Sequence, residues 1–352
     1  MSTSAFQPEI DHLDVESPAT TVFDFDYTDG REQLLRLYDK GTRRQWIGSD
    51  RLDWSLDVDL ENPVGMPDEI NPLFGSPWWE KMNERERGNL RRNVEAWRFS
   101  QFMHGEQGAL VCAAKIVQTV PDIDSKFYAA TQVLDEARHV EVYSRYLHEK
   151  VQLVYPLNRH LESLLQDVIA DRRWDMTYLG MQVIIEGLAL AAFGVIRNLA
   201  TEPLARAVNA YVMQDEARHV TFGRLALRDY YPQLTQVERD EREEFCVDAC
   251  YLMRDRFLGE EVWERVGLPP AVGEYIEASD AMREFRNYLF TRIVPILKDI
   301  GLWGPRIQGA FTDMGVIQFA GADIDAEIAN DERTAEEFDA QLKHVEAVAS
   351  QA

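Results

Sequence analysis

The string Asp-Glu-Ala-Arg-His-Val stands at 135–140 and again at 215–220, eighty residues on. The same offset carries Glu106 onto Glu186. Each half therefore reads Glu, then Glu thirty residues later, then His three after that: Glu106, Glu136, His139 and Glu186, Glu216, His219. An identity of this length at a fixed offset points to a repeated supersecondary unit. Glu and His at i and i+3 share one face of a helix, about one turn apart. Thirty residues span an outgoing helical arm, a turn and a returning arm. Glu106 can thus come level with Glu136, and Glu186 with Glu216. Two such hairpins packed together make a four-helix bundle, with all six side chains pointing inward at one depth.

The faces around the repeat agree with that reading. Phe99, Phe102, Ala109, Ala113, Ile116 and Val120 follow helical spacing about Glu106. Val133, Val140, Tyr143 and Leu147 do so about Glu136, and Leu179, Val183, Ala189, Leu190 and Phe193 about Glu186. Val212, Phe222 and Ala226 share the face of Glu216. The four glutamates thus sit on apolar stripes that face a core. A buried carboxylate is costly unless it is paired or coordinated. Four on converging faces would repel one another, and two divalent cations would remove the conflict. Carboxylates with imidazoles suit iron or manganese. Four Glu, two of them in Glu-x-x-His, is the ligand set of ferritin-like di-metal bundles. The competing reading is a duplicated hairpin whose repeat is only structural.

Asp135, Arg138, Asp215 and Arg218 belong to the repeated string as well. Metal-bound His commonly gives its other N–H to a carboxylate. We expect a crossed arrangement, Asp135 near His219 and Asp215 near His139, with the two arginines orienting the aspartates. The alternative is ordinary ion pairs on a helix surface.

Beyond the repeat, prolines at 121, 156, 203 and 232 mark helix ends. Long helices are expected at about 84–119, 122–149, 172–199 and 202–230, with further ones around 234–257 and 281–300. We divide the chain into a poorly ordered tail (1–30), an irregular arm rich in Pro and Trp (31–83), a helical domain (84–300, its ligand-bearing bundle 84–230) and an acidic C-terminal tail (301–352), helical from about 321. No alternating pattern demands a sheet. The fold class expected is all-α, a ferritin-like four-helix bundle with additional helices.

Composition narrows the function classes. A formal charge of −24 disfavours nucleic acid. Three cysteines make no disulfide framework and suit a reducing compartment. No signal-peptide pattern opens the chain, and no apolar stretch reads as reaching the ~18 residues of a membrane span. A cytoplasmic protein without membrane partners is expected.

The pattern Glu106…Glu136-x-x-His139…Glu186…Glu216-x-x-His219 resembles the ferritin-like diiron-carboxylate superfamily over about residues 84–230. Its Asp-Glu-x-Arg-His form is similar to that of bacterial multicomponent monooxygenases and of the small subunit of class I ribonucleotide reductase. The resemblance implies two iron ions per chain, iron–iron or manganese–iron, with dioxygen as co-substrate. It also implies a small organic substrate, an electron donor such as a ferredoxin or flavin reductase, and a homodimer through outer helices. The activity implied is oxygenation or oxidation. The alternatives are a reductase-like radical subunit and an iron-storage or purely structural helical protein.

Departures are specific. Arylamine N-oxygenases carry an extra histidine ligand four residues before the last Glu, and Val212 stands there. Tyr143 lies one turn beyond His139, a spacing similar to that of the reductase radical tyrosine. Its counterpart in the second half is Gly223. Tyr143 is either redox-active or a core tyrosine with a satisfied hydroxyl. Gly105, Gly108, Ala109, Cys112, Gly187, Ala189, Ala192 and Gly194 either open a cavity beside the metals or let helices pack closely. Cys246 and Cys250, at i and i+4, read as core packing.

Overall fold

The computed structural model describes residues 12–27 and 30–330, with 333, 334, 336, 337 and 340. The chain enters through α1 (Glu32–Arg43) and α2 (Gly48–Arg51), then an irregular segment to 83. The bundle is α3 (Glu84–Thr119), α4 (Ile123–Arg145), a third helix and α8 (Pro203–Tyr230). Between α4 and the third helix lies α5 (Arg159–Ala170). That third helix begins as α6 (Trp174–Tyr178), passes through a π-helical turn (Leu179–Ile185) and continues as α7 (Glu186–Leu199). Outer helices follow: α9 (Gln236–Asp255), α10 (Glu260–Arg265), α11 (Ala271–Ala278), α12 (Asp280–Asp299) and α13 (Pro305–Asp313). No strand occurs among the described residues.

Local chemistry sets the helix starts. Asn83 and Glu86 form a reciprocal capping box at α3, as do Thr235 and Glu238 at α9. Asp122 caps α4 through Ser125 N. Glu202 caps α8, where Pro203 takes the first position and loses no hydrogen bond. The long helices thus fall where proline and cap residues place them.

α3 packs along α4 and α7 along α8, and the two hairpins meet through α4 and α8. The core is one cluster running through all four bundle helices and into α9 and α12. Trp174–Leu199 is, by length and composition, apolar enough to cross a membrane, contrary to the expectation that no such stretch exists. The mean hydropathy of its most apolar 18 residues is 2.0, and 89% of that stretch is buried inside the protein. It is apolar all round because neighbours surround it: α8 and α12 pack on it, and α9 packs on its π-helical turn.

Other details differ from the sequence reading. The expected acidic tail begins within the core: Ile307, Ala310 and Phe311 of α13 are buried, and α13 packs on α9. Helix resumes at 324–330, and most of the tail beyond lies outside the described residues. Of the expected disordered tail, residues 1–11 and 28–29 are likewise outside. Within it, Val22 N donates to Gln118 O at 3.0 Å and Asp24 Oδ2 accepts from Ile123 N at 3.0 Å, so 22–24 lie against the α3–α4 turn.

Candidate metal centre

Glu106 comes from α3, Glu136 and His139 from α4, Glu186 from the first residue of α7, and Glu216 and His219 from α8. None of the six is more than 5% exposed. They fall into two groups that share Glu136: Glu106, Glu136, His139 and Glu216, and Glu136, Glu186 and His219. Within each group one potential ligand atom per residue lies within 4.8 Å of the others.

The imidazoles are oriented alike. His139 Nδ1 lies 3.2 Å from Glu106 Oε2, 3.2 Å from Glu136 Oε2 and 3.1 Å from Glu216 Oε1. His219 Nδ1 lies 3.1 Å from Glu136 Oε1 without making a hydrogen bond. The far nitrogens turn to the aspartates. His139 Nε2 is 3.1 Å from Asp215 Oδ2, and His219 Nε2 is 3.3 Å from Asp135 Oδ2. The pairing is crossed between the hairpins.

Asp135, Arg138, Asp215 and Arg218 are buried, so they are not surface ion pairs. Arg138 Nη2 reaches Asp135 and, at 3.4 Å, Asp215. Arg218 Nη2 reaches Asp215 and, at 3.5 Å, Asp135. Two cations and two anions close a neutral lattice that holds both histidines. Paired charges of this kind tolerate burial because each hydrogen-bonds to the others.

The irregular arm completes the lattice, a role that sequence reasoning missed. Trp46 Nε1 donates to Asp215 Oδ2 at 2.8 Å, and Gln45 Nε2 donates to Asp135 Oδ1 at 2.8 Å. Arg138 Nη1 donates to Gln45 Oε1 and to the Trp46 carbonyl, at 2.8 and 2.9 Å, and its guanidinium lies over the Trp46 ring. Gln132 was missed too. Its buried amide donates to Glu136 Oε1 and Glu186 Oε1, both at 2.9 Å. Gln132 is four residues before Glu136, so the repeat aligns it with Val212. That alignment was the available signal.

Tyr143 is fully buried, and its hydroxyl donates to Asn209 Oδ1 at 3.2 Å. Burial, with Glu106 and Glu216 nearby, holds its phenol well above the usual range. The glycine at its counterpart has a steric cause: a Cβ on Gly223 would stand 2.6 Å from Gln182 Cβ. The small residues divide between both expected roles. A Cβ on Gly108 would stand 2.4 Å from Leu165 Cδ2, which is close packing, whereas Gly105, Ala109 and Ala189 line a small cavity beside Glu106, Glu186 and Glu216.

The donor set fits two divalent cations. Both oxygens of Glu216, Glu186 Oε2 and His219 Nδ1 are buried without a hydrogen-bond partner, Glu216 in the first cluster and Glu186 and His219 in the second. Electrostatics carries the same message. Burial and then Glu216 push the Glu106 carboxyl well up, and burial with Glu216 and Glu136 does the same to Glu186. Burial opposes charging of the histidines, yet the surrounding carboxylates hold both well above their usual value. Glu136 is also desolvated, but the two imidazoles beside it outweigh that and hold it far down. The cluster demands about four positive charges, whether from protons or from metal ions.

Fold and site together define a ferritin-like helical bundle built around a carboxylate–histidine di-metal centre. A family model described as P-aminobenzoate N-oxygenase AurF matches residues 28–301, and the chain belongs to that family. It is a diiron oxygenase or oxidase that activates dioxygen and acts on a small molecule. Among solved structures, the chain is similar to the dimanganese(II) NrdF of Streptococcus sanguinis, at 14% identity and TM-score 0.52, covering 82% of this chain and 99% of that one. It is also similar to a protein with aldehyde deformylating oxidase activity from Synechococcus (16% identity, TM-score 0.46, 63% and 96% covered). A variant R2-like ligand-binding oxidase with a Mn/Fe cofactor matches at 18% identity and TM-score 0.48, with 79% and 97% covered. No curated protein matches by sequence. Family membership and the departure at Val212 stand together: the match spans a site in which that position is a buried valine.

Proposed function

We propose that Glu106, Glu136, His139, Glu186, Glu216 and His219 hold two iron ions, or one manganese and one iron, and that the enzyme oxygenates a small organic substrate beside them. When bound, the metal pair supplies the electrons and the Lewis acidity for dioxygen activation. The rest is the work of the chain. Asp135 and Asp215 fix the histidines as Nδ1 ligands by accepting from Nε2. Gln132 orients Glu136 and Glu186. Phe102, Phe193, Met181 and Ile185 border the carboxylates and keep water from the reacting space. The family description makes an amino nitrogen on an aromatic ring the first substrate group to screen. An external reductant is required for monooxygenation, and a ferredoxin or flavin reductase is the candidate. The three cysteines are free and buried, in keeping with a cytoplasmic setting.

The observation that carries this reading is the pair of ligand clusters sharing Glu136, with buried oxygens of Glu186 and Glu216 left without a hydrogen-bond partner. A radical-subunit or storage role is not favoured by the family match. The test is anaerobic loading with ferrous iron, a metal count, and stopped-flow absorbance on mixing with oxygenated buffer. About two irons per chain and an oxygen-dependent band, both lost in Glu136→Ala, are expected. A chain that holds no stoichiometric metal and gives no such signal would overturn it.

A further inference from the structure

A row of aromatic rings runs from the His219 side of the centre to the protein surface. Tyr128 meets the His219 ring edge-on, with centroids 6.5 Å apart. Phe222 lies 4.4 Å from Tyr128 and 5.0 Å from Tyr178. Tyr178 is 5.5 Å from Trp174, and Trp174 is 4.7 Å from Tyr230. Tyr128, Phe222 and Tyr178 are fully buried, whereas Trp174 and Tyr230 are only partly so. Those last two rings border an open cavity of about 290 Å³ between the N-terminal segment and α9, with Arg172 and Arg173 at its side.

Packing alone does not call for this row. At the eighty-residue offset the counterparts of Tyr128, Phe222 and Trp174 are Val208, Val142 and Val94, and that of Tyr178 is Arg98. The other half of the bundle therefore packs without rings at these positions. The Tyr128 hydroxyl is buried without a hydrogen-bond partner. A phenylalanine would fill the same space without that cost. What the hydroxyl adds is a ring that can be oxidised. A second group of rings, Phe102, Tyr143, Phe99 and Tyr146, is linked by contacts of 5.1 to 6.0 Å and begins beside Glu106. Every member of that group is buried, so it ends inside the protein. The row through Tyr128 and Tyr178 reaches solvent.

We propose that Tyr128, Phe222, Tyr178 and Trp174 carry oxidising equivalents out of the metal centre when no substrate is bound, and that they leave the protein at Trp174. This rests on the oxygenase reading, because dioxygen supplies the oxidising equivalents. The oxidised centre takes electrons from the row one at a time. Tyr128 has no acceptor for its proton, so it relays charge without storing it. Phe222 is the contact through which Tyr128 and Tyr178 meet. The missing electron comes to rest on Trp174, whose indole yields an electron inward and its N–H proton to water. A small one-electron reductant in the open cavity, such as ascorbate or a thiol, returns an electron and a proton and restores the indole. The electrons that substrate would have given thus come from outside, and the buried ligands are spared.

The test maps oxidised residues by peptide mass spectrometry. Full-length protein is loaded anaerobically with ferrous iron and mixed with oxygenated buffer, without substrate. Oxygenated Trp174 is expected, several-fold above Trp46 and above metal-free protein treated alike, and added ascorbate should suppress it. Tyr178→Phe keeps a six-membered ring and leaves Trp174 as accessible as before. It should lower the Trp174 mark several-fold and move damage inward. Trp174→Phe should inactivate after fewer turnovers than wild type, and Trp174→Tyr, which can still be oxidised, should restore most of them. The proposal is overturned if Tyr178→Phe leaves the Trp174 mark unchanged, or if metal-free protein is marked equally. It is also overturned if Trp46, which reaches His139 through Asp215, carries the mark instead. Hydrogen peroxide added to ferric-loaded protein forms a second arm, since it oxidises the metals without dioxygen. A Trp174 mark there, in a protein that never consumes dioxygen, would leave the row standing and remove the oxygenase reading. No Trp174 mark in either arm overturns the proposal.

Discussion

His139 Nε2 and Asp215 Oδ2 meet at 3.1 Å across the bundle, although 76 residues separate them. His219 and Asp135 repeat the contact in the opposite sense. Each hairpin therefore orients the imidazole of the other. Replacing Asp215 by Asn keeps the volume and removes the charge that holds His139. We expect a 10–100-fold loss of affinity for the metal on the His139 side, read by titration against a chelator of known strength. An unchanged affinity would show that the crossed contact does not support coordination.

Trp46→Phe tests the arm. A benzene ring remains, while the five-membered ring of the indole is lost together with the N–H donated to Asp215 Oδ2. The aspartate keeps its contacts with both arginines and His139, so the loss should be modest, about 1–2 kcal/mol in a urea melt of the metal-free protein. A loss under about 0.3 kcal/mol would mean that the indole packs without anchoring.

Gln132→Leu should separate the two metals. The amide touches Glu136 and Glu186 and so belongs to the cluster with His219. The second equivalent of metal should weaken, by roughly tenfold, while the first is unchanged. Equal weakening of both would show instead that the shared Glu136 dominates.

Protons and metals compete for the same charges. Glu106, Glu186, His139 and His219 all titrate above their unfolded values in the metal-free protein. Groups with raised folded pKa values contribute stability below the unfolded value and lose it as pH rises toward the folded one. From about pH 6.5 to 8.5 the metal-free protein should lose stability, by up to about 1.4 kcal/mol per pH unit for each proton still held. Glu136 and Asp215 are shifted the other way, and their contribution is lost only in acid. Melts of metal-free protein should fall across this window and those of loaded protein should stay level. Loading in weak buffer should release up to about four protons per chain, read by a pH indicator. A metal-free melt that rises through the window would contradict the assignment.

Tyr143→Phe should remove one hydrogen bond, to Asn209, at a cost of about 1 kcal/mol. Oxygen consumption should stay within about twofold of wild type, a change too small to represent a lost redox step. A drop of tenfold or more would restore the redox role for this tyrosine.

The bundle and the six clustered side chains were legible because both rest on periodicity. A helix repeats its face every few residues, so the eighty-residue offset carries three-dimensional information along one dimension. The crossed His–Asp contacts were legible for the same reason. Gln45 and Trp46 were not: their partners lie 90 and 169 residues away on α4 and α8, and no local pattern marks such a contact. The core position of α13 was hidden by an acidic stretch that begins only after it.

The bond between Trp46 and Asp215 spans 169 residues, and that has a temporal side. During synthesis the tongue carrying Gln45 and Trp46 leaves the ribosome early, long before α8 exists. At ordinary elongation speeds it waits on the order of ten seconds for its partner. Gln45 can meet Asp135 as soon as α4 is made, but Trp46 must wait for α8. Until then the Trp46 N–H has no aspartate to donate to. The tongue therefore works as a stopper, fitted after the vessel is made.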